Sequence, residues 1–148
     1  MTVAVEIVER RGDDTAVVRG RVPHGEVGSF IGAAFGQVLA VVGEADVVGP
    51  PFCRIDMDGE EFVLEAGFPV PDPIAASGAV VPSSLPAGTV ATAMHVGPYD
   101  QVAGLYFAIE TWMGEHGYAS SGAPWETYLD GPEVPQPRTL VSWPCRRA

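Results

Sequence analysis

From Val3 to Glu9 apolar and polar residues alternate, which sets Val3, Val5 and Ile7 on one face and predicts a strand. Thr15 to Val22, rich in β-branched residues, predicts a second strand, with turn chemistry at Gly12-Asp13-Asp14 between the two. After Val22-Pro23-His24-Gly25 the period changes. Val27, Ile31, Ala34, Phe35, Val38 and Val42 recur at three- and four-residue steps, so a helix is expected there. Gly28, Gly32 and Gly36 lower its intrinsic helicity, and close approach of another element to them would explain their presence. Gly49-Pro50-Pro51 punctuates the chain before a hairpin. Its arms run from Phe52 to Met57 and from Glu61 to Phe68, joined at Asp58-Gly59, with Phe62, Leu64, Ala66 and Phe68 on one face.

Pro69, Pro71, Pro73, Pro82 and Pro86 then mark an extended connection holding a short strand at Ala79 to Val81. Gly88 to Val96 reads as a strand ended by Gly97-Pro98. In the next segment Val102, Leu105, Tyr106, Ile109, Trp112, Met113 and His116 fit one apolar helix face, with Asp100 in the first turn and Gly117 as the C-terminal cap. Strands from Trp125 to Leu129 and from Arg138 to Trp143 complete the pattern, with a turn at Asp130-Gly131.

Set side by side, the two halves repeat. Thr15-Ala16-Val17-Val18 stands before Pro23 and the first helix as Thr89-Val90-Ala91-Thr92 stands before Pro98 and the second. Gly49-x-Pro51-Phe52 precedes the first hairpin as Gly122-x-Pro124-Trp125 precedes the second. The expected fold is therefore α+β: two strand-helix-strand-strand modules related by a pseudo-twofold axis, with a mostly antiparallel sheet and two main helices. Repeat 1 covers about residues 1–70, a linker about 70–86, and repeat 2 about 87–148, within one domain spanning 1–148. Duplication of this kind places a ligand groove where the copies meet.

Composition narrows the function. A chain of 148 residues that is 47% hydrophobic can bury a real core in one domain. The net charge of -11 and only 8 basic residues argue against nucleic acid, because phosphate-backbone binding needs clustered Lys and Arg. An acidic field attracts cations instead. Cys53 and Cys145 form neither a disulfide framework nor a metal pair, and His24, His95 and His116 lack ligand spacing, so neither a metal nor another cofactor is expected. The first residues do not resemble a signal peptide, and the apolar run from Phe30 to Val42 is too short to span a bilayer. A cytoplasmic protein without a membrane partner is expected; the oligomeric state is open.

The chemistry concentrates at Pro124-Trp125-Glu126-Thr127-Tyr128, where one carboxylate stands among large rings on a rigid strand. Ring faces attract positive charge, and a partly dried carboxylate does so more strongly. Strand alternation sends Trp125, Thr127 and Leu129 to one face and Glu126, Tyr128 and Asp130 to the other. A flat aromatic cation would stack on rings from Phe52, Phe68, Tyr106, Trp125 or Trp143, while an adaptable Met94 suits a pocket of varied guests. Cys53 holds in the first repeat the position of Glu126 in the second and is expected to be buried and inert. His95 is expected to position the strand-helix turn.

The run Leu85-Pro86-Ala87-Gly88, then His95-Val96-Gly97-Pro98-Tyr99, Tyr106, Trp112, Gly117 and Pro124 to Tyr128, resembles the GyrI-like small-molecule-binding family. That family includes effector-binding domains of AraC-type and multidrug-sensing transcription regulators. The resemblance implies a duplicated fold around an aromatic cleft, with Glu126 pairing with lipophilic cations. Regulators of the family carry a fused DNA-binding segment, for which this chain has no room, so a stand-alone member is expected. Some stand-alone members resemble hydrolases of cyclopropanoid DNA-alkylating toxins, and Pro51-Phe52 and Glu126 match their pattern. The tyrosine usual after the Pro-Phe turn is replaced by Arg54-Ile55, leaving Tyr99, Tyr106 or Tyr128 to stand in; Glu126 with Tyr106 and Tyr128 would then be catalytic. The family's namesake resembles a gyrase inhibitor, so a protein partner is a third reading, although the acids here are scattered.

Overall fold

The computed structural model describes residues 3–148. In chain order the elements are β1 (Glu6–Arg10), β2 (Asp13–Pro23), α1 (Val27–Val42), β3 (Phe52–Asp58), β4 (Glu61–Val70), β5 (Val80–Leu85), β6 (Gly88–Val96), α2 (Ala103–Glu115), β7 (Tyr118–Ser120), β8 (Trp125–Tyr128) and β9 (Arg138–Arg147). Single 3-10 turns at His24–Glu26 and Tyr99–Gln101 lead into the two helices. The fold is α+β with a mostly antiparallel sheet. The chain forms two compact units, Gly12–Pro86 and, together, Ala87–Ala148 with the chain up to Arg11.

In the unit Gly12–Pro86 the strand order is β3-β4-β2-β5. The hairpin closes through Gly59 at φ 66, a left-handed conformation that suits glycine. Helix α1 lies on β2 and β4. Ala34 and Val38 are buried, and the Phe35 ring stands 5.5 Å from that of Phe68. The glycines that matter to packing are not those of the helix. A Cβ at Gly28, Gly32 or Gly36 would meet nothing within 4 Å, whereas one at Gly20 on β2 would fall 2.3 Å from the Phe30 ring. One at Gly67 on β4 would fall 1.9 Å from the Ala16 carbonyl oxygen. With its leading 3-10 turn, the helical stretch His24–Val42 has 19 residues, long and apolar enough to cross a membrane. The apolar run from Phe30 to Val42 alone is too short to span a bilayer, and the residues from His24 onward lengthen it; the seat of α1 on β2 and β4 gives its inner face a partner.

Three further expectations are corrected in this unit. Asp13 and Asp14 belong to β2, opposite Leu85 and Ser84, rather than to a turn. The proline-rich connection holds a full strand, Val80–Leu85, which accommodates Pro82 because an edge strand leaves one side unpaired. Residues before Gly12 do not join this unit, because β1 pairs with β6.

In the other unit the order is β8-β9-β6-β1, with β7 beside the end of β9. Helix α2 covers one face of this sheet: Leu105, Ile109 and Met113 pack with Ala91, Ala93, Val141 and Cys145, flanked by Val3, Val5 and Ile7. Gly117 follows the helix at φ 80, the left-handed residue that ends it. Asp100 lies in the 3-10 turn rather than in the first turn of α2. The last strand runs four residues beyond Trp143, held by β7, which the sequence did not foretell. One unit contains the series β2-α1-β3-β4; the other runs β6-α2-β7-β8-β9, with the short β7 between helix and hairpin.

Candidate functional site

Glu126 pairs across the ladder with Val141, and Val141 with Ala93; both belong to the core under α2. Period-two alternation therefore aims the Glu126 side chain at the helix. It is only 6% exposed. A buried carboxylate must find hydrogen bonds or take up a proton, and here each oxygen has a phenol. Tyr106 Oη, from α2, donates to Oε2 at 2.7 Å, and Tyr128 Oη donates to Oε1 at 2.8 Å. Burial pushes the Glu126 carboxyl above its ordinary range, while the bonds from Tyr106 and Tyr128 and the proximity of His95 pull the other way. Desolvation wins, so the group takes up a proton more readily than a free glutamate.

The two phenols are themselves supported. The Tyr106 ring meets Trp143 edge-on at 6.0 Å, and the Trp143 indole N–H donates to Ser120 Oγ at 3.0 Å. The Tyr128 ring meets Tyr99 edge-on at 5.6 Å. Tyr99 Oη donates to the Asp130 carbonyl oxygen at 2.5 Å, and burial followed by the charges of Glu133 and Asp130 raises its pKa. Asp130 is gripped in turn by Arg138. The Arg138 backbone N–H donates to Oδ2 at 3.0 Å, Nε to Oδ2 at 2.8 Å and Nη2 to Oδ1 at 3.2 Å, which lowers the carboxyl pKa.

His95 Nε2 lies 2.9 Å from the Pro98 carbonyl oxygen. Because a carbonyl only accepts, the ring proton sits on Nε2, and His95 ties β6 to the turn entering α2. Thr139 stands between His95 and Tyr128 in the ladder, as the cross-strand partner of both. It is fully buried, and its Oγ1 has no hydrogen-bond partner among the described residues.

Of the ring and carboxylate residues named from sequence, the structure gathers Glu126, Tyr106 and Tyr128, with Tyr99 and Trp143 behind them. It does not bring Trp125 or Met94 to the carboxylate. Trp125 occupies the other face of β8, 2% exposed, with the Arg10 guanidinium 4.9 Å from its ring centre. Met94 lies on the corresponding face of β6, one residue from Ala93, and is exposed. Pro51, Phe52 and Phe68 belong to the unit Gly12–Pro86, where Phe52 and Phe68 are buried. Cys53, the counterpart of Glu126 in the repeat alignment, is fully buried. No group of three or more His, Cys, Asp or Glu side chains among the described residues could hold a metal ion. Sequence reasoning missed Thr139, Asp130 and Arg138 as parts of the site. For Thr139 no signal existed, since its place depends on strand register; the Asp130-Gly131 turn and the opposite charge of Arg138 offered a faint one.

No curated protein matches the chain in sequence. Solved structures share its fold. The C-terminal domain of EcmrR superposes with a TM-score of 0.83 at 21% identity, covering 100% of both chains. A hydrolase from Listeria innocua gives 0.67 at 14% identity, covering 98% of this chain and 93% of the other. SAV2435 bound to tetraphenylphosphonium gives 0.65 at 11% identity, covering 97% and 94%. The family model for the GyrI-like small molecule binding domain matches residues 4–144, nearly the whole length, and the chain belongs to that family.

Proposed function

We propose that this domain binds lipophilic aromatic cations at Glu126, as a drug or toxin sensor or as a sequestering protein. One observation carries the reading: a buried carboxylate whose two oxygens are each held by a tyrosine hydroxyl. Two phenol donors favour the ionised form and hold it in place without supplying a positive charge. A cation with aromatic substituents supplies it, replacing water beside the carboxylate while its own rings meet those of Tyr106, Tyr128 and Trp143. The fold neighbour captured with tetraphenylphosphonium supports the same ligand class. The test is a thermal-shift and fluorescence titration with tetraphenylphosphonium and rhodamine-type dyes, on wild type and Glu126→Gln. Saturable binding lost in the variant supports the reading; affinity unchanged in the variant sinks it.

A hydrolase of strained-ring toxins is the second reading, favoured by one feature. An acid with a raised pKa is suited to act as a general base toward a water molecule, and a fold neighbour is named a hydrolase. Against it, both phenol hydroxyls point at the carboxylate itself rather than toward a departing phenolate. Substoichiometric protein converting a cyclopropanoid to its ring-opened hydrolysis product, followed by mass spectrometry, would decide for the enzyme.

A further inference from the structure

Beside Glu126 lie two polar groups outside its pair of tyrosine hydrogen bonds, His95 and Thr139. His95, Thr139 and Tyr128 occupy neighbouring positions on β6, β9 and β8, in direct register. Alternation puts them on the same face as Glu126, because Thr139 stands two residues from Val141, the partner of Glu126. Such diagonal neighbours are roughly 7–8 Å apart, about one aromatic ring with its substituents.

Thr139 is fully buried and its hydroxyl finds no partner among the described residues. A valine would fill the same space without a buried polar group to leave unsatisfied. His95 is the complementary half. Its Nε2 proton is committed to the Pro98 carbonyl, which leaves Nδ1 as the ring's remaining polar atom. A hydroxyl that both donates and accepts and a ring nitrogen therefore stand on adjacent strands, beside Glu126. An ammonium group only donates, and so leaves the Thr139 hydroxyl proton without an acceptor. A carboxylate could accept from Thr139 but is repelled by Glu126. A hydroxyl serves both groups and carries no charge.

We propose that Thr139 and His95 form a polar subsite that takes a hydroxyl carried one ring away from the ligand's positive centre, so that the domain prefers hydroxylated aromatic cations to plain ones. This rests on the cation-binding reading of Glu126.

The test compares two probes of equal charge, tetraphenylphosphonium and (4-hydroxyphenyl)triphenylphosphonium, by isothermal titration against wild type, Thr139→Val and Thr139→Ser. Wild type is expected to bind the hydroxylated probe about three- to tenfold more tightly, the effect of one net hydrogen bond. In Thr139→Val the ratio of the two affinities falls to about one; in Thr139→Ser, which keeps the hydroxyl, the preference survives. Thr15, also fully buried and unpartnered but paired with Pro69 and Ser83 in the other unit, provides the control, and Thr15→Val leaves the preference intact. Equal affinities in wild type, or a preference that persists in Thr139→Val, overturn the subsite alone. If Thr139→Val does not fold, loss of the preference in Thr139→Ser overturns it equally. Failure of both probes to bind wild type overturns the cation reading and this inference with it.

Discussion

Tyr128 follows Glu126 by two residues on the same strand, and its hydroxyl reaches back 2.8 Å to the carboxylate. Period-two geometry makes that reach possible: both side chains leave the same face, and the longer one folds over the shorter. Tyr106 approaches the other oxygen from a helix. The acid is thus clamped by one local and one distant donor, and the two respond differently to perturbation.

Glu126 has a folded pKa above its unfolded value, with burial as the first cause. The native state then binds more protons than the unfolded state between those two values. Stability associated with this group is therefore greatest at low pH and falls as pH rises through the ordinary carboxylate range toward the folded pKa. Glu126→Gln removes the ionisation. The variant is expected to melt above wild type at neutral pH, with the difference vanishing below roughly pH 4. Calorimetry across that range checks the sign, and a variant less stable at neutral pH would contradict it.

The same variant is expected to lose cation affinity. A charge pair at partial burial is worth a few kcal/mol, so the loss should be about tenfold to a hundredfold, or roughly 1.4–2.8 kcal/mol. In wild type, affinity for a permanently charged probe falls as pH drops through the raised Glu126 pKa. A pH-independent affinity would show that the charge is not paired there.

Tyr106→Phe and Tyr128→Phe each remove a donor that favours the ionised form. The Glu126 pKa should rise further in both, and the pH midpoint of cation binding should rise with it. Each loss of a hydrogen bond to a charged group should cost roughly 1.5–3 kcal/mol of binding at neutral pH. The Tyr106 variant should in addition loosen α2, which hydrogen exchange of its amides can report.

Asp130 carries the Arg138 clamp and, through its carbonyl, the Tyr99 hydroxyl. Its folded pKa is depressed, chiefly by the bond from Arg138, so its contribution is present at neutral pH and is lost as pH falls through that depressed value. Asp130→Asn should weaken cation binding modestly through the Tyr99–Tyr128 contact and flatten this acid limb of the stability profile. Unchanged binding would mean that Tyr128 needs no support from Tyr99.

Glycine replacements should separate cleanly. Gly67→Ala drives a methyl into the Ala16 carbonyl and should cost on the order of 3 kcal/mol, because backbone rather than side chain must yield. Gly28→Ala, Gly32→Ala and Gly36→Ala meet open space on α1 and should each add about 0.5–1 kcal/mol. Chemical denaturation measures all four.

These contrasts show where sequence reasoning held. The apolar face of α2 and the common face of Glu126 and Tyr128 follow from period alone, and both are present. The same alternation already sent Trp125 to the far side, so its nearness in sequence to Glu126 was no evidence of nearness in space. What period cannot supply is register. The partnership of β1 with β6, and of Thr139 with both His95 and Tyr128, arises from long-range pairing. The glycines illustrate the same limit: Gly28, Gly32 and Gly36 looked significant in their regular spacing, yet Gly20 and Gly67 are the ones pressed by neighbours.

Because its phenol donors arrive from a helix and a strand, the Glu126 carboxylate works as a knot between two pieces of backbone. Whatever neutralises it slackens the tether on α2, and whatever strains α2 alters how tightly the acid holds its counter-ion. Guest affinity and helix anchorage are then conjugate quantities, each readable through the other.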